Sequence, residues 1–245
     1  MRLGSVAEIW RYPVSSVAGE AVSTAELAGS GLPEDRRFTI IDRQTNRAAA
    51  PEKEARWHPA LALVARWHDE GGEIGFPDGT WLAIDAPELD DRLSRYFGFE
   101  AAMLPSRSPE EGLEPRDGFA TTRYAASPVH LVTSASLEWL KDKVGPDTVS
   151  SRRFRPNFVL ENDGGEALQE RQWLDRRVKL GNAVLRVTEE TKRCGMTFIA
   201  QPGLPEEPEI LRSVLRHNRR NFGVYCEVVE PGTIRLGDLA TLLDD

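Results

Sequence analysis

The sequence predicts a β-rich α+β fold in two parts, and three observations carry that expectation. Short runs of β-branched and aromatic residues recur at close spacing through residues 6–84, divided by turns that carry Gly or Pro. The polar stretch PSRSPEEGLEPRDG at 105–118 then interrupts the pattern and reads as a linker or loop. Beyond it strands dominate again, with helical segments inserted. The expected division is an N-terminal β domain over 1–105 and a second domain over 119–245.

In the first part, residues 6–10, 20–27 and 38–42 read as strands. RFTIIDRQTNRAA reads as a β-hairpin, with 43–46 as its turn and Phe38, Ile40 and Ile41 as strand residues. Residues 61–67, 73–76 and 80–84 continue as strands across the turn signals GG and PDG. So many short strands favour a barrel or sandwich. Residues 87–97 read as a helix stopped by Gly98. In the second part, 129–133 reads as a strand and 134–144 as a helix. That helix carries Leu137, Leu140 and Val144 on one face, with Ser134 or Ser136 as its cap. Residues 157–160, 183–187, 198–200 and 222–229 read as strands and 210–217 as a helix. GTIRLGDLATLL closes the chain with a turn and a last strand.

The formal net charge of −8 argues against nucleic acid or anionic membrane as general partners. Any anion must therefore be held by a local basic cluster. MRLGSVAEIWRYPV has no uninterrupted apolar run, and nowhere do about 18 apolar residues follow one another, so neither a signal peptide nor a transmembrane helix is expected. The two cysteines, Cys194 and Cys226, supply neither a disulfide framework nor the four thiolates of an iron–sulfur cluster. A reducing, cytoplasmic setting is the expectation, and any redox activity needs electrons from a partner.

Cys194 lies in TKRCGMTF, after two cations and before a glycine. Cations favour a thiolate, which is a metal ligand and a nucleophile, and glycine permits close approach. The same residue could equally be a buried small hydrophobe. In RRFRPN, at 152–157, three arginines precede a proline that fixes the chain. They could grip a phosphate in bidentate fashion or line a solvated basic edge. Asn157 could bond a heterocycle or its own turn. YPVSSVAG places Ser15 and Ser16 in a turn, and GLPEDRRF puts Arg36 and Arg37 at the start of a strand, where only one can face a given pocket. Cys226, in the alternating FGVYCEVV, reads as a core residue. His58, His68, His130 and His217 show no zinc-ligand spacing, and no Walker loop, GxGxxG or GxSxG is present. The acidic pairs Glu206–Glu207 and Asp244–Asp245 read as solvated surface.

In their order, YPVSSVAG, GLPEDRRFTIIDRQTNR, SPVHLVTSASLEWL, RFRPNFVL, ERQW, the RC of TKRC, FGVYCEV and GTIRLGD make a chain that resembles the MOSC family. The likeness is to members that join an N-terminal β-barrel domain to a MOSC domain, among them the amidoxime-reducing components and a bacterial N-hydroxylaminopurine-resistance protein. It implies a β-barrel MOSC domain with a MOSC-associated β domain before it. It further implies a molybdenum–molybdopterin cofactor whose metal is ligated by Cys194. Arg155 and Asn157 match residues that contact the pterin and its phosphate. Arg36 matches the arginine of a DR motif, Ser16 a hydroxyl of the first turn, and Arg193 and Tyr225 residues that line the site. Two positions depart from the family pattern: Ser15 stands where a lysine is usual, and Ala125 where an acidic residue is usual.

The resemblance implies an oxidoreductase with Cys194 at its catalytic centre. Its substrate would be an N-hydroxylated or related oxidised nitrogen compound, and its electrons would come from a flavoprotein, ferredoxin or similar carrier. The alternatives are a cofactor or persulfide carrier without turnover, and a specialised biosynthetic enzyme on the same fold.

Overall fold

The computed structural model describes residues 1–107, 118–121, 128–162 and 165–244. The first strands are β1 (Arg2–Arg11), β2 (Glu20–Ala21), β3 (Thr24–Leu27), β4 (Phe38–Asp42) and β5 (Arg47–Ala48). They are followed by β6 (Val64–His68), β7 (Gly71–Gly75), β8 (Trp81–Ala83), helix α1 (Leu89–Phe97), β9 (Ala101–Arg107) and β10 (Ala120–Thr121). The second half holds β11 (Val129–Thr133), α2 (Ser134–Val144), β12 (Phe158–Glu161), β13 (Arg177–Leu180) and β14 (Ala183–Lys192). It ends with α3 (Pro208–Asn218), β15 (Asn221–Glu230), β16 (Gly232–Arg235) and β17 (Leu239–Leu242).

By packing, the chain divides into two compact units that interleave along the sequence. One comprises Met1–Trp10, Ala21–Pro33 and Ser127–Asp245; the other comprises Arg11–Glu20 and Glu34–Ala126. The sequence reading places one division between 105 and 119. The packed units instead group the first strand with the C-terminal half. The reason is a strand pairing that no local pattern encodes.

In the first unit the order β12-β11-β15-β14-β13-β17-β1, with β12 also paired to β1, closes a seven-stranded barrel. This is the expected barrel, and closure removes unpaired sheet edges. Val6, Ile9, Leu131, Phe158, Leu160, Leu185, Val187 and Val224 belong to the cluster that fills it. Cys226 joins that cluster, and burial pushes its thiol up to about 12, so it stays a neutral packing residue as expected. β11 and β12 run parallel, which requires a crossover, and α2 lies within it. Val132 and Val159, on the opposite face from Leu131 and Leu160, pack with Leu137, Leu140, Ile210 and Val214 of α2 and α3. Burial on both faces explains why β11, VHLVT, has apolar residues on each of them.

In the second unit, β10-β9-β4-β5 and β6-β7-β8 form two sheets. Val14, Ile40, Trp57, Leu63, Ile74, Leu89 and Leu93 belong to its core. The hairpin read at 38–48 is present, with Ile41 opposite Ala48. Helix α1 ends at Gly98 as predicted.

Several local expectations are corrected. Residues 61–67 are not one strand: a 3-10 helix, Ala55–Ala62, contains Pro59, and β6 starts only at Val64. Pro59 has no N–H to give a ladder, which suits the tight turn. The cap of α2 is Thr133, whose side chain accepts from the Ser136 N–H. Glu207 is not simply solvated, because its carboxylate caps α3 by accepting from the Glu209 N–H. β9 was not foreseen, since Ala101, Ala102 and Pro105 are weak strand formers. Among the described residues, no helix is long and apolar enough to cross a membrane.

Glu170, from ERQW, is buried beneath α2 and accepts from the Ser136 hydroxyl at 2.8 Å and the Thr133 hydroxyl at 3.1 Å. Burial raises its pKa, and the Glu190 charge adds to this. Its own N–H and the two hydroxyls oppose the shift without cancelling it. The folded state therefore binds a proton that the unfolded chain releases. The contribution of Glu170 to stability is fully present below the ordinary glutamate range and is lost as pH rises from there through its raised folded-state pKa. Glu170→Gln should flatten that fall, so urea unfolding from acid to neutral pH will show the variant gaining on the wild type as pH increases.

Gly4 marks the barrel's closure. Its φ is +144°, and a Cβ there would lie 1.8 Å from the Glu161 carbonyl oxygen on the paired strand. Gly4→Ala should cost at least about 2 kcal/mol in denaturant unfolding. Gly29→Ala, where a Cβ meets nothing within 4 Å, should leave the midpoint unchanged.

Candidate functional site

β14 ends at Lys192, and Cys194 then opens a 3-10 turn over Gly195–Thr197. Phe198–Ala200 is thus not the strand that its residues suggest. The Thr197 N–H and hydroxyl both donate to the Cys194 carbonyl, at 3.2 and 3.0 Å, and curl the chain before a ladder can form. The Cys194 thiol is half-buried and belongs to no disulfide, while Cys226 is enclosed in the barrel. Exposure thus settles which of the two cysteines a ligand can reach.

The turn is held from below by Arg153, which is 1% exposed. Its Nε donates to the Thr148 carbonyl at 2.7 Å, and Nη1 donates to Thr197 and Ile199 carbonyls at 3.3 and 3.2 Å. Nη2 reaches the Pro205 carbonyl. Desolvation pulls its pKa down, and the Glu207 charge opposes this. A guanidinium nonetheless keeps its proton at any physiological pH. Among the described residues its bonded partners are all backbone carbonyls, so the cation works as a clamp on the segment after Cys194. Sequence reasoning took RRFR as one basic run and could not single out this member. Arg152 differs again: it is half-exposed and donates to the Pro202 carbonyl at 3.3 Å.

The other residues predicted for the site in this unit lie in one connected network. The Arg193 guanidinium donates to the Phe154 carbonyl at 2.6 Å and sits 5.6 Å from that ring. Phe154 stacks on Phe222 with centroids 4.2 Å apart. The next residue, Arg155, is half-buried with φ +53°, a left-handed conformation that is uncommon for non-glycine residues. Its carbonyl is 3.4 Å from His130 Nδ1. The His130 ring lies 5.4 Å from that of Tyr225, which is half-buried opposite it on β15. Asn157 is fully buried. Its Oδ1 accepts from the His130 N–H at 3.0 Å, and its Nδ2 donates to the Trp10 carbonyl at 3.4 Å. Asn157 thereby ties β11 and the start of β12 to β1.

His130 was not foreseen as part of this network, because a lone histidine in an apolar strand carries no spacing signal. The nearest cue is Gly223 in FGVY. Its φ is +80°, and a Cβ there would lie 2.6 Å from His130 Nε2 and 2.7 Å from the Leu131 carbonyl oxygen. Only glycine lets the strands approach there without strain.

In the other unit, Ser16 and Arg36 belong to adjacent segments. The Arg36 N–H donates to the Tyr12 carbonyl at 2.7 Å, and the Ser15 N–H to the Phe38 carbonyl at 2.8 Å. Ser16 is buried with φ +63°, and its hydroxyl donates to the Ala49 carbonyl at 3.3 Å. Arg36 has φ +55°, so it occupies a turn rather than the start of a strand, and the expected strand alternation of Arg36 and Arg37 does not apply. Its guanidinium pairs with Asp35 and lies 5.3 Å from the Tyr12 ring centroid. Ala125 lies outside the described residues.

A barrel that carries a half-buried cysteine at the head of a clamped turn gives this unit its candidate site. Residues 115–241 match the MOSC domain and residues 3–101 the MOSC N-terminal beta barrel domain. This chain belongs to the MOSC domain family. It is 26% identical to mitochondrial amidoxime-reducing component 1 of Mus musculus, over 99% of this chain and 83% of that protein. It is 30% identical to the molybdenum cofactor sulfurase of Anopheles gambiae, over 89% of this chain and 33% of that protein. The solved YuaD protein from Bacillus subtilis shares the fold, with a TM-score of 0.53 at 12% identity over 98% of this chain and 96% of that one.

Arg153→Met should remove the clamp and orphan four carbonyls, at a cost of about 2–4 kcal/mol. Hydrogen exchange should then show the largest loss of protection between residues 195 and 205. Equal protection in both proteins would refute the clamp.

Proposed function

We propose that this protein binds a molybdenum–molybdopterin cofactor through the Cys194 thiolate and is an oxidoreductase that reduces N-hydroxylated or related oxidised nitrogen compounds. The observation that carries the reading is the placement of the accessible thiol: it heads a turn fixed by Arg153, beside Arg193, with Arg155 in the same network. The donor set suits the group. A thiolate is a soft ligand for a metal held by sulfur, and guanidiniums suit a phosphate dianion in a chain whose net charge is −8. When bound, the cofactor supplies a two-electron redox centre able to take oxygen from an N–O bond.

The chain's own residues bind and orient. Arg155 and Arg193 offer positive charge, and Arg193 is steered by its bond to the Phe154 carbonyl. Asn157 and His130 hold the backbone around Arg155. Tyr225 supplies a phenol that can donate or accept a hydrogen bond. Electrons come from an external flavoprotein, ferredoxin or similar carrier, in a cytoplasmic setting.

A second reading is a cofactor or persulfide carrier without turnover. It draws support from the sulfurase relative and from Ser15, which replaces the ammonium usual in the family's first turn.

Protein made in a cofactor-producing host should contain close to one molybdenum and one pterin per chain. Cys194→Ser should lower the metal content at least about tenfold and abolish reduction of a hydroxylamine or amidoxime by a chemical reductant. Undiminished metal and turnover in that variant would overturn the reading. A labile persulfide on Cys194 without metal would establish the carrier instead.

A further inference from the structure

Three exposed cations near Cys194, namely Lys192, Arg219 and Arg220, have no role in the cofactor site proposed above. Strand pairing brings them together. Lys192 stands opposite Asn221 on the β14–β15 ladder, and the Arg193 N–H donates to the Arg220 carbonyl at 2.8 Å. The cluster therefore starts two residues from Cys194. Arg219 and Arg220 form the turn after α3 with φ of +50° and +73°. Glycine or asparagine would occupy either position with less strain, yet arginine holds both. The carbonyl end of α3 accounts for a cation in that turn, but not for Lys192 on the neighbouring strand.

Three other exposed arginines of this unit sit in ion pairs. Arg186 pairs with Glu227, and Arg212 and Arg216 share Glu209. Two acids precede Lys192 on β14: Glu190 accepts from the Asn221 side chain at 3.1 Å, and Glu189 stands opposite Tyr225. Among the described residues, no carboxylate forms an ion pair with Lys192, Arg219 or Arg220.

We propose that this cluster is the docking surface for a small acidic one-electron carrier protein, through which electrons reach the Cys194 site. The inference rests on the reductase reading above. The two cysteines of this sequence cannot hold an iron–sulfur cluster, and the reductase reading calls for a carrier that brings electrons to the site. A chain of net charge −8 repels an acidic carrier over most of its surface, and an exposed cationic cluster reverses the sign locally. Electrostatic complementarity of this kind chooses the approach and its orientation. Each docking delivers one electron. Two dockings and two protons from solvent convert N–OH to N–H with release of one water, and two reduced carriers leave oxidised.

The test uses cofactor-loaded protein and an acidic flavodoxin. Binding is measured for the wild type, for the triple variant Lys192→Glu, Arg219→Glu, Arg220→Glu, and for the triple exchange to Gln. Arg235→Glu, at an exposed arginine on β16, serves as the control. Wild-type affinity should fall about tenfold or more between about 20 and about 300 mM salt. The Glu variant should bind about tenfold more weakly at low salt, with the Gln variant between. Turnover driven by reduced methyl viologen should stay within about twofold of wild type in both, with unchanged circular dichroism, because only the docking step is touched. Equal flavodoxin affinity in wild type and Glu variant, or an equal loss in Arg235→Glu, overturns the docking surface. Failure of methyl viologen to drive any wild-type turnover overturns the reductase reading instead, and electron delivery with it.

Discussion

The Arg153 guanidinium lies buried among the carbonyls of Thr148, Thr197, Ile199 and Pro205, and the turn that begins at Cys194 takes its shape from that arrangement. A full positive charge taken out of water is costly unless it is compensated, and here the compensation comes from oriented backbone dipoles. Among the described residues, those carbonyls in turn have no strand partner to accept from. Cation and loop thus satisfy one another, and the segment after Cys194 is held in a single path without regular secondary structure. The backbone at Cys194, the head of that turn, is fixed with it.

The same end of the barrel unit concentrates unusual backbone. Arg155, Arg219 and Arg220 all have left-handed φ values, as do Ser16 and Arg36 in the other unit. Conformations of this kind cost of order 1–3 kcal/mol each and collect where function needs a side chain aimed in a particular way. The supports are visible for some of them. The Arg155 carbonyl faces His130, and the Arg220 carbonyl extends the β14–β15 ladder by one bond. Folding free energy from the barrel core, filled by residues such as Phe158, Leu185 and Val224, offsets the strain.

Charge is divided by environment between two short stretches, RRFR and TKRC. Arg153 is buried and structural, Arg193 is half-buried and steered by a carbonyl, and Lys192 is exposed. Three arginines in RRFR and the lysine–arginine pair in TKRC look alike in sequence. Their environments separate them: one is enclosed by carbonyls, one is held by a single carbonyl, and one is left in water.

Much of the strand pattern was legible because the spacing of apolar residues reports which face is buried: β4 with its hairpin, β11, β15 and the stop of α1 at Gly98 all follow from local sequence. The packed core role of Cys226 was legible for the same reason, from its place in an alternating strand. Local chemistry misled where a few hydrogen bonds outweighed propensity, as at Thr197, whose hydroxyl and N–H turn the chain back on Cys194. The order of motifs, taken together, determined the family. The tertiary structure alone decided which cysteine is accessible, which arginine is enclosed, and that the first strand closes a barrel with β12 rather than staying with its sequence neighbours. Accessibility and closure are properties of residues far apart in the chain, and a sequence encodes such meetings only through the sum of many weak preferences.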